Sequence, residues 1–481
     1  MGGSHLNLIL LALLFAGPRL TPALAQDCVE KPAPTLPNIS SLAEAIGKSS
    51  FSRRGYLTPA EALATDPILL AEALVARLER ECEATRPPLG RGEEFSADIS
   101  MVVSSKALPF IAEQGFANQH LTNTSGGLLQ TNKRLRKEEM LIGMQLPYGS
   151  KLREILPKYA LLNVHRDDVG KFGVPDFYGD VSVVFNDDVK KRTTFTRADS
   201  MVRDFTDNPE EFPPRTMNHK FDTARPWQCS GYCEAQVWGP LTLRDVKHLM
   251  VQKGTVLSPD LKSLGLPIYE YEGVPTRDVT REAKDAYAKS GQATMQKIGA
   301  KIWDGGARAS ADPISLAEPP AAVKNIQANR ALAEASTEAL KQQFAELPYQ
   351  PITAENPADS FSPRAKAFAE ISSRGLGAGG EAFLRKGLSD IDPLVRREAL
   401  LGLSDLSAAK LKPLILSKLK DKDRNVIFRA VVMAADFKGD PKIEAAVKSA
   451  LKMKQPADAE LAAELWKRLR QPTFCTAVPA K

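Results

Sequence analysis

Two stretches near the carboxyl end, DPLVRREALLGL from Asp392 and DRNVIFRAVVMA from Asp423, superimpose at an offset of 31 residues. Asp falls on Asp, Val395 on Val426 and Ala399 on Ala430. SPRAKAFAEI upstream and DAELAAELWKRL downstream fit the same helical pattern more loosely. A helical hairpin repeated at roughly 30 residues cannot bury its apolar face alone, so its copies must stack into a solenoid. Three to four such units predict an all-α module over residues 363–475. In each unit the Asp suits a helix N-cap, and the Val and Ala suit the face toward the next repeat.

The Asp-x-x-Val-Arg-x-x-Ala pattern of Asp392, Val395, Arg396 and Ala399 resembles short HEAT-like repeats. The resemblance implies a surface that binds a protein partner, with Arg396 supporting the stack; a cap packed on its neighbour is the alternative. Charge is uneven along the chain. From residue 363 onward there are 23 Lys/Arg against 14 Asp/Glu, a net of +9, whereas the whole chain carries +6. The basic excess therefore belongs to the repeats and points to an acidic partner or an anionic envelope surface. Nucleic acid is not expected, because aromatic residues for stacking are nearly absent there.

At the other end, LNLILLALLFAGPRLTPALAQ joins a short apolar run to Ala23-Leu24-Ala25. That predicts a signal peptide over residues 1–25 with cleavage before Gln26, an uncleaved anchor being the alternative. No later run is long enough to span a bilayer. The expectation is an exported chain, periplasmic or secreted. Five cysteines then remain, Cys28, Cys82, Cys229, Cys233 and Cys475, an odd number that leaves at least one unpaired. Cys28–Cys82 and Cys229–Cys233 are candidate bridges with the connectivity open. The histidines, His5, His120, His165, His219 and His248, are scattered, so no metal is expected.

Between the two ends the texture changes twice. Residues 26–95 read as a helical lead-in, with Thr58-Pro59-x-Glu61 marking a helix start. Residues 96–275 hold short β-rich runs, ADISMVVSS, YGDVSVVFND and CEAQVWG, and predict an α+β domain. Within it Leu241, Leu243, Val246, Leu249 and Met250 follow a period close to 3.6 and predict a helix on the sheet. Residues 276–362 read as a Pro/Ala-rich linker containing a helix or two. The usual phosphate-loop, zinc-protease and serine-hydrolase motifs are absent.

The polar residues of the α+β segment come in a particular order. GFANQHLTNTSGG carries His120. LPKYALLNVHRDD places Tyr159 and Asn163 on one strand face. Thr194, Thr196, Asp199 and Ser200 follow in TTFTRADS, and Glu234 and Gln236 come last in CEAQVWGP. Over residues of about 100–255 this succession resembles a bacterial domain family of uncharacterised function and, at one remove, is similar to ADP-ribosyltransferases. That resemblance implies NAD as a substrate, with ADP-ribosyl transfer or NAD hydrolysis as the activity. It assigns Glu234 to the oxocarbenium-like centre and the ribose, with Gln236 beside it as the second catalytic position. Thr194, Thr196 and Ser200 fall to the nicotinamide pocket, Tyr159 to stacking, and Asn163 or His120 to the amide or phosphates. The family places its essential glutamate where this chain has Gln236. Glu234 then takes the role, or the site is inactive. The early-strand basic residue has two candidates, His165-Arg166 and Arg192. The competing reading is a non-catalytic envelope or secreted protein whose repeats bind a partner.

Overall fold

The computed structural model describes residues 56–82, 94–95, 97–122, 131–163, 178–196, 200, 215–216, 221–222, 233–255, 257, 265–271, 301–302, 321–349, 362–375, 380–453 and 459–471. All of them belong to one compact unit, Ala43–Lys481. The expected signal segment, Cys28, Cys229, Cys475, His165, Arg166 and Asp199 lie outside the described residues.

The chain enters through α1 (Pro59–Ala64) and α2 (Pro67–Cys82). Thr58 and Glu61 form the reciprocal capping box that their spacing predicts, each side chain accepting from the other's amide. Asp66 starts α2 by accepting from the Ile68 and Leu69 amides, and Leu70, Leu74 and Leu78 line its buried side. The elements that follow are β1 (Glu94–Phe95), β2 (Ile99–Val103), α3 (Leu108–Gln114), α4 (Gln119–Thr122), α5 (Thr131–Leu141), α6 (Ser150–Ile155) and β3 (Lys158–Leu162). Then come β4 (Val181–Phe185), β5 (Thr193–Thr196), β6 (Arg215–Thr216), β7 (Phe221–Asp222), β8 (Cys233–Val237), β9 (Val246–Gln252), β10 (Ile268–Tyr271) and β11 (Lys301–Ile302).

Nine of these strands form one mixed sheet in the order β11-β10-β9-β4-β2-β3-β8-β5-β6, antiparallel throughout except for β9 with β10. β1 and β7 pair separately. Side chains alternate between the two faces of a strand, and here the faces differ in kind. Ala160, Leu162, Val183, Phe195, Ala235 and Val237 project into an apolar core shared with Leu108 of α3. Ser100, Ser182, Tyr159, Thr194, Thr196, Glu234 and Gln236 have the opposite parity. That face is polar, and all of these residues but the half-buried Tyr159 are buried.

One expectation is corrected. Residues 246–252, predicted as part of a helix, form strand β9 beside β4. The register slips between Val184 and Phe185, so Val184 faces His248 while Phe185 faces Val246. A bulge of this kind adds one residue to a strand, and it brings Val246, Leu249 and Val251 to the same apolar core. The resulting three-residue step imitates a helical period.

The carboxyl half is helical. It comprises α7 (Ala321–Glu334), α8 (Thr337–Glu346), α9 (Pro363–Ser373), α10 (Gly380–Gly387), α11 (Pro393–Gly402), α12 (Ala408–Lys418), α13 (Arg424–Met433), α14 (Pro441–Lys452) and α15 (Ala459–Leu469). From α8 onward the helices pack as four pairs, and α9, α11, α13 and α15 stack in sequence as an inner layer. Ser362, Asp392 and Asp423 cap the first three inner helices through their side chains. Arg396 reaches into the next pair, its guanidinium on both oxygens of Asp421 at 2.7 and 3.0 Å. α7 and α8 arise inside the stretch read as a linker, yet both are packed: α8 on α9, and α7 on α4, α6 and α9.

A single hydrophobic cluster joins the two halves. It contains Leu74 of α2, Met140 of α5, Leu146, Trp238 just after β8, and Phe368, Leu400, Val431 and Leu465 of the inner layer. Within it, residues 134–150 are buried without exception, although the segment begins Arg-Leu-Arg-Lys-Glu-Glu. No described helix is long and apolar enough to cross a membrane.

Candidate functional site

The register of β3, β8 and β5 decides which predicted residues meet. Gln236 lies between Tyr159 on one neighbour and Thr194 on the other, and Glu234 lies between Leu161 and Thr196. A hydrogen-bonded string runs down this face. The Trp238 indole N–H donates to Thr194 Oγ1 at 2.9 Å, and the Thr194 hydroxyl donates to Gln236 Oε1 at 3.0 Å. Gln236 Nε2 then donates to Thr196 Oγ1 at 3.0 Å and to Glu234 Oε1 at 2.9 Å. The backbone amide of Ser200 also reaches Glu234 Oε1, at 3.2 Å. Glu234 is 4% exposed and faces the strand and turn that carry Thr196 and Ser200, not open solvent. The two polar residues of CEAQV are therefore unequal: Gln236 is a fixed link, and Glu234 is the acid that the string orients.

The turn after β8 explains the Trp-Gly-Pro that follows. Gly239 has φ +81°, and a Cβ there would lie 2.9 Å from the Ala71 Cβ of α2. Arg192 clasps the same turn, donating to the carbonyls of Trp238 and Pro240 and pairing with Asp245 at 3.1 Å. Arg192 is thus a structural clamp and does not reach Glu234.

A second cluster adjoins the first. The Tyr159 hydroxyl donates to Glu138 Oε1 at 2.9 Å, and the Arg134 guanidinium sits 4.4 Å from the Tyr159 ring centre. Burial, and then the Glu138 charge, push the Tyr159 phenol well above its ordinary range, so it stays protonated. His120 Nε2 lies 2.6 Å from the other oxygen of Glu138, and its Nδ1 lies 2.9 Å from the Tyr148 hydroxyl. Asn118 and α7 fix α4, which carries this histidine. The Asn118 carboxamide oxygen accepts from the His120 amide, and Asn325 and Asn329 donate to the carbonyls of Thr122 and Leu121. Asn163 follows β3 with the parity of Tyr159, and its backbone amide bonds Asp98. The structure thus gathers Glu234, Gln236, Thr194, Thr196 and Ser200 in one network, and Tyr159 and His120 in the other.

Glu138, Arg134 and Tyr148 were not legible in the sequence. A helix reading NKRLRKEEML has no sequence feature that marks it as buried; the only hint is the apolar MLIGMQLPYG that follows. The adjacent Glu139 turns the opposite way. It accepts from Arg429 of α13 at 3.0 Å and from the Leu146 amide. Burial pushes its carboxyl upward against the attraction of Arg429 and then Arg397. Glu398 of α11 accepts from the Tyr148 amide, and Glu370 of α9 accepts from the Ser150 amide. The helical stack thus holds the segment that holds Tyr159 and His120, and its inner layer is occupied from within the chain.

At the start of β3, Lys158 is 3% exposed, and its ammonium nitrogen donates to the carbonyls of Glu154 and Gly239 at 2.6 and 2.5 Å. Burial, and then Arg192, push its pKa down from 10.5 to about 7. A neutral amine still donates twice, so both bonds survive deprotonation. The unfolded chain binds the extra proton between those two values, so stability is fully present above the upper one and lost as pH falls toward the lower. Between pH 7 and 9 the urea-unfolding free energy of the wild type is expected to rise with pH more steeply than that of Lys158→Met, by up to about 1.4 kcal/mol per unit. Parallel profiles would show that Lys158 is charged when folded.

Cys82 and Cys233 are each disulfide-bonded. The described residues contain no group of three His, Cys, Asp or Glu placed to hold a metal ion. Compared with known proteins, the chain matches no family model and no curated protein.

Proposed function

We propose that the α+β part is an ADP-ribosyltransferase-like domain that uses NAD, breaking the bond between nicotinamide and ribose and passing ADP-ribose to an acceptor or to water. The observation that supports this most is the carboxylate of Glu234, buried, oriented by Gln236 and the Ser200 amide, and set among Thr194, Thr196 and Ser200. Cleavage places positive charge on the ribose C1′ as nicotinamide leaves with the bonding electrons. A fixed carboxylate beside that carbon stabilises the charge. Thr194, Thr196 and Ser200 are assigned to the nicotinamide pocket, and Tyr159 to stacking. Asn163 and His120 are assigned to the amide or phosphates of the same substrate. On this reading the helical pairs are HEAT-like repeats docked as a cap, and the chain is exported.

Incubation with NAD labelled in the nicotinamide ring tests this directly, with and without lysate as acceptor. The wild type is expected to release nicotinamide, and Glu234→Gln is expected to lose at least about a hundredfold in rate, the scale of removing one group that stabilises transition-state charge. No release from a folded wild type under either condition would sink the proposal. A second reading, a non-catalytic interaction protein, draws on one observation: both polar atoms of the Gln236 amide are satisfied within the chain, as in a structural network. It predicts an unreactive wild type.

A further inference from the structure

We propose that the outer layer of the helical stack docks on the surface of an anionic lipid bilayer. The inner layer is covered by the chain itself, which leaves the outward faces of α12, α14 and the turns around them. Among the described residues from 408 to 471, nine charged side chains exposed to solvent are basic, among them Lys410, Lys420, Lys442, Lys448 and Lys452. Only Asp436 and Glu460 oppose them there as exposed acids.

The exposed charge is more one-sided than the sequence suggests, although its net value is not larger, because the other acids are engaged by basic side chains or as helix caps. Asp421 is taken by Arg396, and Asp423 caps α13. Asp440 caps α14 and pairs with Lys412, while Glu444 pairs with Arg470 and Glu464 with Arg468. What faces outward is lysine separated by small residues. Along α12 and the turn that follows it, Lys410, Pro413, Ser417 and Lys420 are exposed at i, i+3, i+7 and i+10. α14 packs beside α12 and shows Lys442, Ala445, Lys448 and Lys452.

The residue types favour a bilayer over a macromolecular partner. Protein interfaces are depleted in lysine and anchored by aromatic or apolar residues. Among the described residues of α12–α15 the only large exposed hydrophobe is Met453. Nucleic-acid surfaces use arginine forks and stacking aromatics, whereas eight of the nine exposed cations are lysines. Lysine is a hydrated point charge suited to a diffuse field of headgroups.

The test is co-sedimentation of the full chain with phosphatidylcholine vesicles, with and without phosphatidylglycerol, beside poly-glutamate and single-stranded RNA as competing probes. Binding only to the phosphatidylglycerol vesicles is expected, weakening as salt is raised. The triple variant Lys442→Gln, Lys448→Gln, Lys452→Gln is expected to bind about a hundredfold more weakly. Its thermal melt should be unchanged, since these side chains are exposed. Lys106→Gln with Lys151→Gln, exposed on the other half, should bind like the wild type. Failure to bind anionic vesicles at low salt would overturn the proposal. So would an undiminished triple variant, or tighter retention of poly-glutamate or RNA than of vesicles.

Discussion

Arg429→Ala is expected to destabilise the protein by about 3–5 kcal/mol, the usual consequence of removing one partner from a buried ion pair. Arg429 is 1% exposed and bonds Glu139 at 3.0 Å, with Glu398 at 3.7 Å. Without it Glu139 loses the cation bonded to it and keeps the Leu146 amide, while Glu398 loses the longer of its two ion pairs and keeps the Tyr148 amide. Arg397 still donates to Glu398, which should keep the loss nearer the lower figure. Glu139→Gln in the same chain should recover part of it, because the amide oxygen still accepts from Leu146 and carries no charge to desolvate. The urea midpoint and slope report this. A change under about 1 kcal/mol would show that Arg429 is solvated in the folded protein.

The second large effect belongs to the neighbouring glutamate. Glu138 is fully buried and serves Tyr159 with one oxygen and His120 with the other. Glu138→Ala leaves a phenol and an imidazole buried without this acceptor and opens a cavity between sheet and helix. The expected loss is again about 3–5 kcal/mol. Glu138→Gln keeps an acceptor for Tyr159 and should retain more than half of the lost stability. If nicotinamide release is detected, Glu138→Gln should lower its rate under conditions where it stays fully folded, its unfolding midpoint lying between those of the wild type and Glu138→Ala. Such a split marks a positioning residue, which a purely structural group would not show. Equal stability of Glu138→Ala and wild type would mean that the bonds of Glu138 to Tyr159 and His120 contribute no net stability.

Much of the architecture could be read in advance, for reasons that lie in particular residues. The inner helices announce themselves because Asp392 and Asp423 cap them, while Val395, Ala399, Val426 and Ala430 must all point inward. β4, β5 and β8 are short runs whose alternation survives in sequence. β9 was hidden by its bulge, since one extra residue turns a two-residue step into a helical one. α5 was hidden for a different reason. Its charges look like a solvated surface, and only the packing of sheet against stack buries them, a tertiary fact with no local signature. The candidate site divides along the same line. Glu234 and Gln236 were legible as one strand face, and Thr194 and Thr196 only through the order of motifs along the chain, whereas Glu138 enters from a remote helix. Arg192, a candidate basic residue of the site, proved to hold a turn.

These contacts make a central claim about the molecule: the α+β part and the helical stack are one cooperative body, with α5 the shared element between site and cap. Scanning calorimetry of the full chain measures this directly. A single transition is expected, with calorimetric and van't Hoff enthalpies in a ratio of about 1. Arg429→Ala should lower that transition without dividing it. Two separate transitions in the wild type, with the helical stack melting apart from the sheet, would contradict the account.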